Sequence, residues 1–240
     1  MSSQSQFADP LPRLSPGLQV LFPAGAVVVE MRGPGDAAAL APEEAAQLKG
    51  AVPKRVGEFT AGRLCAKHAL AELGVLHFPV RVAPDRQPVW PDTIAGSITH
   101  TAGLCLAVIA PRTRVAAIGV DCEVVGQVSP DIWGTICTAT ETDWLNSLPE
   151  PERPAAVTLI FSAKEAFYKC QYPLVGEWLD FEDLCIQPLN WGSGPADFAV
   201  IPTRRLAIAR HVAWPVIGRY LFHEGYVTTG VAIEQPLEPQ

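Results

Sequence analysis

The sequence predicts an α+β protein of two similar lobes, and three observations predict it. Each half of the 240-residue chain offers one long helical segment followed by several strand-like runs. The helical segments keep a 3.6-residue apolar period, whereas the strand-like runs are short, β-branched and bounded by turn residues. The order of elements repeats from one half to the other, although no residue-level repeat does. Runs of strands beside segregated helices give α+β lobes, each a long helix on a small antiparallel sheet, with a ligand cleft between them. The expected organisation is a loose arm over 1–19, a first lobe over 20–118 and a second lobe over 119–240.

The elements follow in order. Residues 1–19 carry Pro10, Pro12 and Pro16 among polar residues and read as the arm. Ala26–Glu30 is a β-branched run, hence a strand, and Pro42–Lys49 reads as a short helix opened by its proline. From Lys54 to Leu73, Phe59, Gly62, Ala66, Ala69/Leu70 and Leu73 hold the helical period, and Gly74 marks the stop. The segment 80–89 is loop or edge, punctuated by prolines. Strands are expected at Ser97–Thr101, Leu104–Ala110 and Val115–Asp121, with a helix starting near Thr140 on a capping-box-like Thr140-to-Asp143 spacing. The second long helix spans Pro154–Gln171 and closes before Pro173. Strands at Phe181–Gln187, Asp197–Ile201, Val216–His223 and Tyr226–Ile233 complete the chain, the last two joined through a Glu224-Gly225 turn.

Composition excludes several classes. With 48% hydrophobic and 18% charged residues the chain as a whole is not disordered. No apolar run reaches the roughly 18 residues of a membrane span. Met1-Ser2-Ser3-Gln4 lacks the basic and apolar regions of a secretory signal, so a soluble, cytoplasmic protein is expected. The 6 cysteines include no CxxC pair and are expected to be free thiols. A net charge of −7 argues against nucleic acid as a partner. Charge is unevenly placed: Lys54 to Arg86 holds six cations against three acids, while Asp121 to Glu152 holds seven acids and no Lys or Arg. Such halves suit a phosphate ligand bridged by a divalent metal, or are simply two unrelated solvated surfaces.

Four groups of residues can carry chemistry. Gly119-Val120-Asp121-Cys122-Glu123 closes a strand, so Asp121 and Glu123 share a face and Cys122 takes the other. Two same-side carboxylates either bind a hard cation such as Mg²⁺ or end the strand as solvated acids. In Phe161-Ser162-Ala163-Lys164-Glu165-Ala166-Phe167-Tyr168-Lys169, Glu165 and Lys169 are i,i+4 on an otherwise apolar helix. They make an ordinary helical pair, or a buried acid and base that a ligand requires. Thr99 and His100, in Gly96-Ser97-Ile98-Thr99-His100-Thr101, are structural or hold a phosphate. Arg55 and Arg63, eight apart and so within about 80° around the helix, and Arg86 form a solvated basic face or a phosphate clamp. No GxGxxG, Walker A, HExxH or GxSxG occurs.

The ordered set KR..EF..GR.CA at 54–66, DRQPVWP at 85–91, GSITH at 96–100, GVDCE at 119–123 and FSAKEAFYK at 161–169 resembles the 4′-phosphopantetheinyl transferases. It is most similar to the bacterial branch that serves siderophore synthetases, the enterobactin synthetase component D type. The resemblance covers roughly residues 54–185. It implies pseudo-symmetric lobes holding coenzyme A and Mg²⁺, and transfer of phosphopantetheine to a serine of an apo carrier protein. By motif, Asp121, Glu123 and Glu165 would bind the metal, and Glu165 would be the base. Lys169 would face the pyrophosphate with Lys164 near the same path. His100, Arg55, Arg63 and Arg86 would hold coenzyme A phosphates, and Thr99 would stand beside them. A monomer with an acidic carrier as partner is implied, without nucleic acid or membrane insertion. Phe161 departs from the Trp of many members, Cys122 from their aliphatic or small residue, and Glu141 falls near another family acid. The rival readings are an Mg-dependent phosphodiesterase or nuclease, and a non-catalytic module that binds coenzyme A or carrier. The second would be marked by loss of Asp121, Glu123, Glu165 or Lys169, and all four are present.

Overall fold

The computed structural model describes residues 11–192 and 194–235. Its first sheet contains β1 (Arg13–Leu14), β2 (Val27–Arg32), β3 (Ile94–Thr101) and β4 (Leu104–Pro111), in the order β1-β2-β4-β3 and antiparallel throughout. Three helices accompany it: α1 (Pro16–Gln19), α2 (Pro42–Ala45) and the long α3 (Pro53–Glu72). The second sheet begins with β5 (Val115–Val124). It continues with β6 (Leu184–Pro188), β7 (Ala196–Pro202), β8 (Val216–His223) and β9 (Tyr226–Glu234), in the order β5-β9-β8-β7-β6. Between β5 and β6 lie α4 (Trp133–Ile136), α5 (Ala139–Ser147) and the long α6 (Arg153–Val175). The two-sheet α+β architecture predicted from the order of elements is the one found.

Alternation explains why β4 reads as an unbroken apolar run. Leu104, Leu106, Val108 and Ala110 face one core, while Cys105, Ala107 and Ile109 face another. The second of these cores lies under α3. The first joins the lobes, because Ile118, Val120 and Cys122 of β5 enter it together with Leu18, Leu21 and Phe22. A third core packs α6 against the second sheet. Polar contacts repeat the junction: Ser97 Oγ accepts from Val120 N at 3.2 Å, Tyr226 donates to Ala102 O at 2.9 Å, and Arg32 pairs with Glu224 at 2.6 Å.

Several local expectations change. Residues 13–19 form β1 and α1 rather than a loose arm, because Leu18 is buried and Glu30 receives both Arg13 and Ser15. The rest of that expectation, residues 1–10, lies outside the described residues. The capping box belongs to Thr138 and Glu141, not to Thr140 and Asp143, because Glu141 reaches back to Thr138 N at 2.7 Å. α6 runs through Pro173, which costs one ladder bond, and left-handed Gly176 (φ 63°) closes it. The strand expected from Phe181 starts at Leu184, after a 3₁₀ turn over Phe181–Asp183. Glu224 and Gly225 take positive φ (48° and 82°), as a tight hairpin turn requires. All 6 cysteines are free. No helix among the described residues is long and apolar enough to cross a membrane.

Candidate active site

Strand alternation turns Gly119, Asp121 and Glu123 toward α6 and puts Cys122 in the core between the lobes. Asp121 is only 2% exposed. Its Oδ1 accepts from Lys169 Nζ at 2.5 Å and from Thr99 Oγ1 at 2.9 Å, and Lys169 also reaches Thr99 at 3.3 Å. One residue from each of β3, β5 and α6 thus meets at a single oxygen. Glu165 stands one helical turn before Lys169, and Thr101 donates to Glu123 at 3.5 Å.

The charges are unevenly compensated. Burial, then the Asp121 charge, push the Glu123 carboxyl up to about 7 against the opposing pull of Lys169. Burial also raises Glu165, with Asp121 adding to it and Lys169 opposing. For Lys169, burial favours the neutral amine, but Asp121 and then Glu165 and Glu123 outweigh it and raise its pKa. Three acids therefore share one ammonium, an arrangement that favours a further cation.

The donor set suits a hard divalent ion. Asp121 Oδ2 is buried with no hydrogen-bond partner, and an orphaned carboxylate oxygen is costly unless something positive meets it. Asp121, Glu123 and Glu165 supply only oxygen, which is what Mg²⁺ takes. Among the described residues no three acid, His or Cys side chains already converge as a closed ligand set.

A cavity of about 670 Å³ gathers the predicted phosphate-binding residues Arg55, Arg63, Arg86 and His100. Arg63 is buried, stacks over Phe59 at 4.2 Å and donates through Nε to Val80 O at 2.8 Å. Among the described residues this is its only hydrogen bond, so its terminal nitrogens are open to a ligand. Burial lowers its pKa to about 10, which leaves it cationic at neutral pH. Arg55 Nη1 lies 3.2 Å from His100 Nε2, and His100 Nδ1 faces Glu58 at 3.9 Å. Burial lowers the His100 pKa, opposed by Glu58 and reinforced by Arg55 and Lys169. Arg86 sits at φ 72° on the turn before Gln87. A second cavity, of about 740 Å³, shares Arg86, Pro88 and Ile98 with the first and reaches Lys169. The two form one groove from the arginines to Lys169, whose ammonium Asp121 holds, and Glu165 lines an adjoining cavity that shares Tyr168 and Trp178 with the second.

Lys164 does not join them, which corrects its expected place beside the pyrophosphate. Its ammonium is 2% exposed and donates to Glu141 Oε2 at 2.7 Å, Ile136 O at 2.8 Å and Phe181 O at 2.7 Å. An ammonium has three N–H donors, so none remains for a ligand. Sequence reasoning overlooked Glu58, Thr101 and Tyr168. Glu58 is one helical turn past Arg55 and Tyr168 three residues past Glu165, so helical spacing from the motifs could have found both; Thr101 is two residues past Thr99 on β3, so strand alternation could have put it on the same face, though not opposite Glu123.

Comparison with known proteins finds similarity over most of the chain. A family model described as the 4′-phosphopantetheinyl transferase N-terminal domain matches residues 43–110, and one described as the 4′-phosphopantetheinyl transferase superfamily matches 117–228. The chain is 35% identical over 209 residues to 4′-phosphopantetheinyl transferase Svp of Streptomyces mobaraensis, covering 82% of this chain and 80% of that protein. It is 28% identical over 221 residues to 4′-phosphopantetheinyl transferase Npt of Nocardia iowensis, covering 90% and 99%. With enterobactin synthase component D of Salmonella typhi it shares 42% identity over 125 residues, 51% of each chain.

Proposed function

Because the chain belongs to the 4′-phosphopantetheinyl transferase superfamily, we propose that its groove moves phosphopantetheine from coenzyme A to a serine of an apo carrier protein. The observation that carries this reading is the continuity of the arginine-lined cavity with the one that reaches Lys169, which Asp121 holds and next to which Glu165 lines an adjoining cavity. One end presents fixed cations for phosphate, and the other presents a proton acceptor and an ammonium.

In the proposed reaction, the serine Oγ bonds to the β-phosphorus and the bond from that phosphorus to the bridging oxygen breaks. Adenosine 3′,5′-bisphosphate leaves. Glu165, made more basic by burial, takes the serine proton. Lys169 is held toward the cluster by Asp121 and offsets charge on the pyrophosphate oxygens. Arg55, Arg63, Arg86 and His100 fix the 3′-phosphate end, which is most of what phosphoryl transfer asks of a protein. Asp121, Glu123 and Glu165 would hold Mg²⁺, which when bound neutralises developing phosphate charge. The resemblance to enterobactin synthase component D favours carriers of siderophore synthesis as partners.

The test is intact mass of a panel of apo carrier proteins after incubation with the enzyme, coenzyme A and Mg²⁺, with an EDTA control. A metal-dependent gain of one phosphopantetheine is expected, and no gain on any carrier would overturn the reading. Arg63→Ala should raise the KM for coenzyme A about tenfold or more while kcat changes little, because it removes a charge-assisted phosphate contact. Steady-state kinetics check this. A fall in kcat with KM unchanged would put Arg63 on the transition state instead.

A further inference from the structure

We infer that Glu141 and Lys164 are a positioning pair that sets the wall of the pocket in front of Glu165 without touching a ligand. The inference rests on the transferase reading above. Both side chains are inaccessible to solvent or nearly so. Glu141 Oε1 accepts from Ile186 N at 2.6 Å, and its Oε2 accepts from Thr138 N at 2.7 Å and from Lys164. Lys164 in turn donates to the carbonyls of Ile136 and Phe181. A single charge pair therefore ties the end of α4, the start of α5, the turn at Phe181 and strand β6 to α6.

The tie is made one residue from Glu165, and it holds what faces Glu165. A cavity of about 260 Å³ is lined by Lys164, Glu165, Tyr168, Trp178 and Phe181. The 178–181 wall is fixed to α6 through the Lys164 bond to Phe181 O, helped by the Phe161–Phe181 ring contact at 5.6 Å. Apolar side chains in this position would fill space but would not specify which backbone carbonyls meet α6. Five directed hydrogen bonds, one of them the ion pair itself, do, and half of such a pair is costly to keep when its partner is lost.

Lys164→Met, Lys164→Arg and Glu141→Gln test this in the full chain. kcat, the equilibrium Kd for coenzyme A and Tm are measured on each, with rates expressed per folded molecule. Lys164→Met is expected to lower kcat at least about tenfold while coenzyme A affinity stays within about twofold, since the arginine cavity lies on the other lobe. Lys164→Arg, which keeps the charge, should recover part of the rate. If Lys164→Met fails to fold, Glu141→Gln carries the same test, because its amide oxygen can still accept from Ile186 N. An unchanged kcat per folded molecule would reduce the pair to a structural brace. Coenzyme A affinity falling as steeply as kcat would make Lys164 a ligand contact. A wild-type protein that binds coenzyme A but modifies no carrier would instead sink the transferase reading itself.

Discussion

Asp121→Ala is expected to lower transfer about a thousandfold or more, the scale of losing a principal electrostatic element at a reacting phosphate. The substitution removes the carboxylate on which Lys169 and Thr99 converge. It also removes the buried oxygen Oδ2, which has no protein partner. The fold should survive, because Lys169 is 28% exposed and its ammonium can swing to water once its partner is gone. Asp121→Asn separates shape from charge: it preserves volume but cannot anchor a cation or Lys169 in the same way, so it should lose nearly as much activity. Rates from intact-mass time courses, set beside circular dichroism melts, check both variants. Near-wild-type transfer by Asp121→Ala would remove Asp121 from the site.

Gly119→Ala is expected to be the most damaging small substitution in the chain. Gly119 lies on the same face of β5 as Asp121, where the strand presses directly on α6. A Cβ there would run into the Ala166 carbonyl oxygen and lie only 2.7 Å from Cys170 N, and backbone atoms cannot step aside as a flexible side chain can. Either the strand or the helix must retreat, at a cost of about 3 kcal/mol or more. For a chain of this size that lowers Tm by about 6–12 °C. The same retreat would part Asp121 from Lys169, so activity should fall beyond what the loss of folded protein explains. Gly134→Ala, where nothing lies within 4 Å, is the control and should melt like the wild type. Equal melting temperatures for the two variants would mean that β5 and α6 are not packed this closely.

Much of this molecule is legible along the chain. The period of 3.6 delimits α3 and α6 to within a few residues, and the period of 2 puts Asp121 and Glu123 on one face with Cys122 on the other. Motif order alone placed the acids in one half and the arginines in the other. These features are local: they depend on backbone geometry within a few residues, which every chain of this pattern shares.

Partners across distance are a different matter. Thr99 meets Asp121 across 22 residues and Lys169 meets Thr99 across 70, and no spacing rule connects them. Lys164 and Glu165 are neighbours in one motif, yet successive helical residues point about 100° apart. One therefore sends its ammonium into the packed interior, where Glu141 and two carbonyls claim it, while the other stands near Lys169 and Asp121. Periodicity says which face a side chain takes. Only the packing of α6 on the second sheet, and of that sheet on the first, decides what waits there.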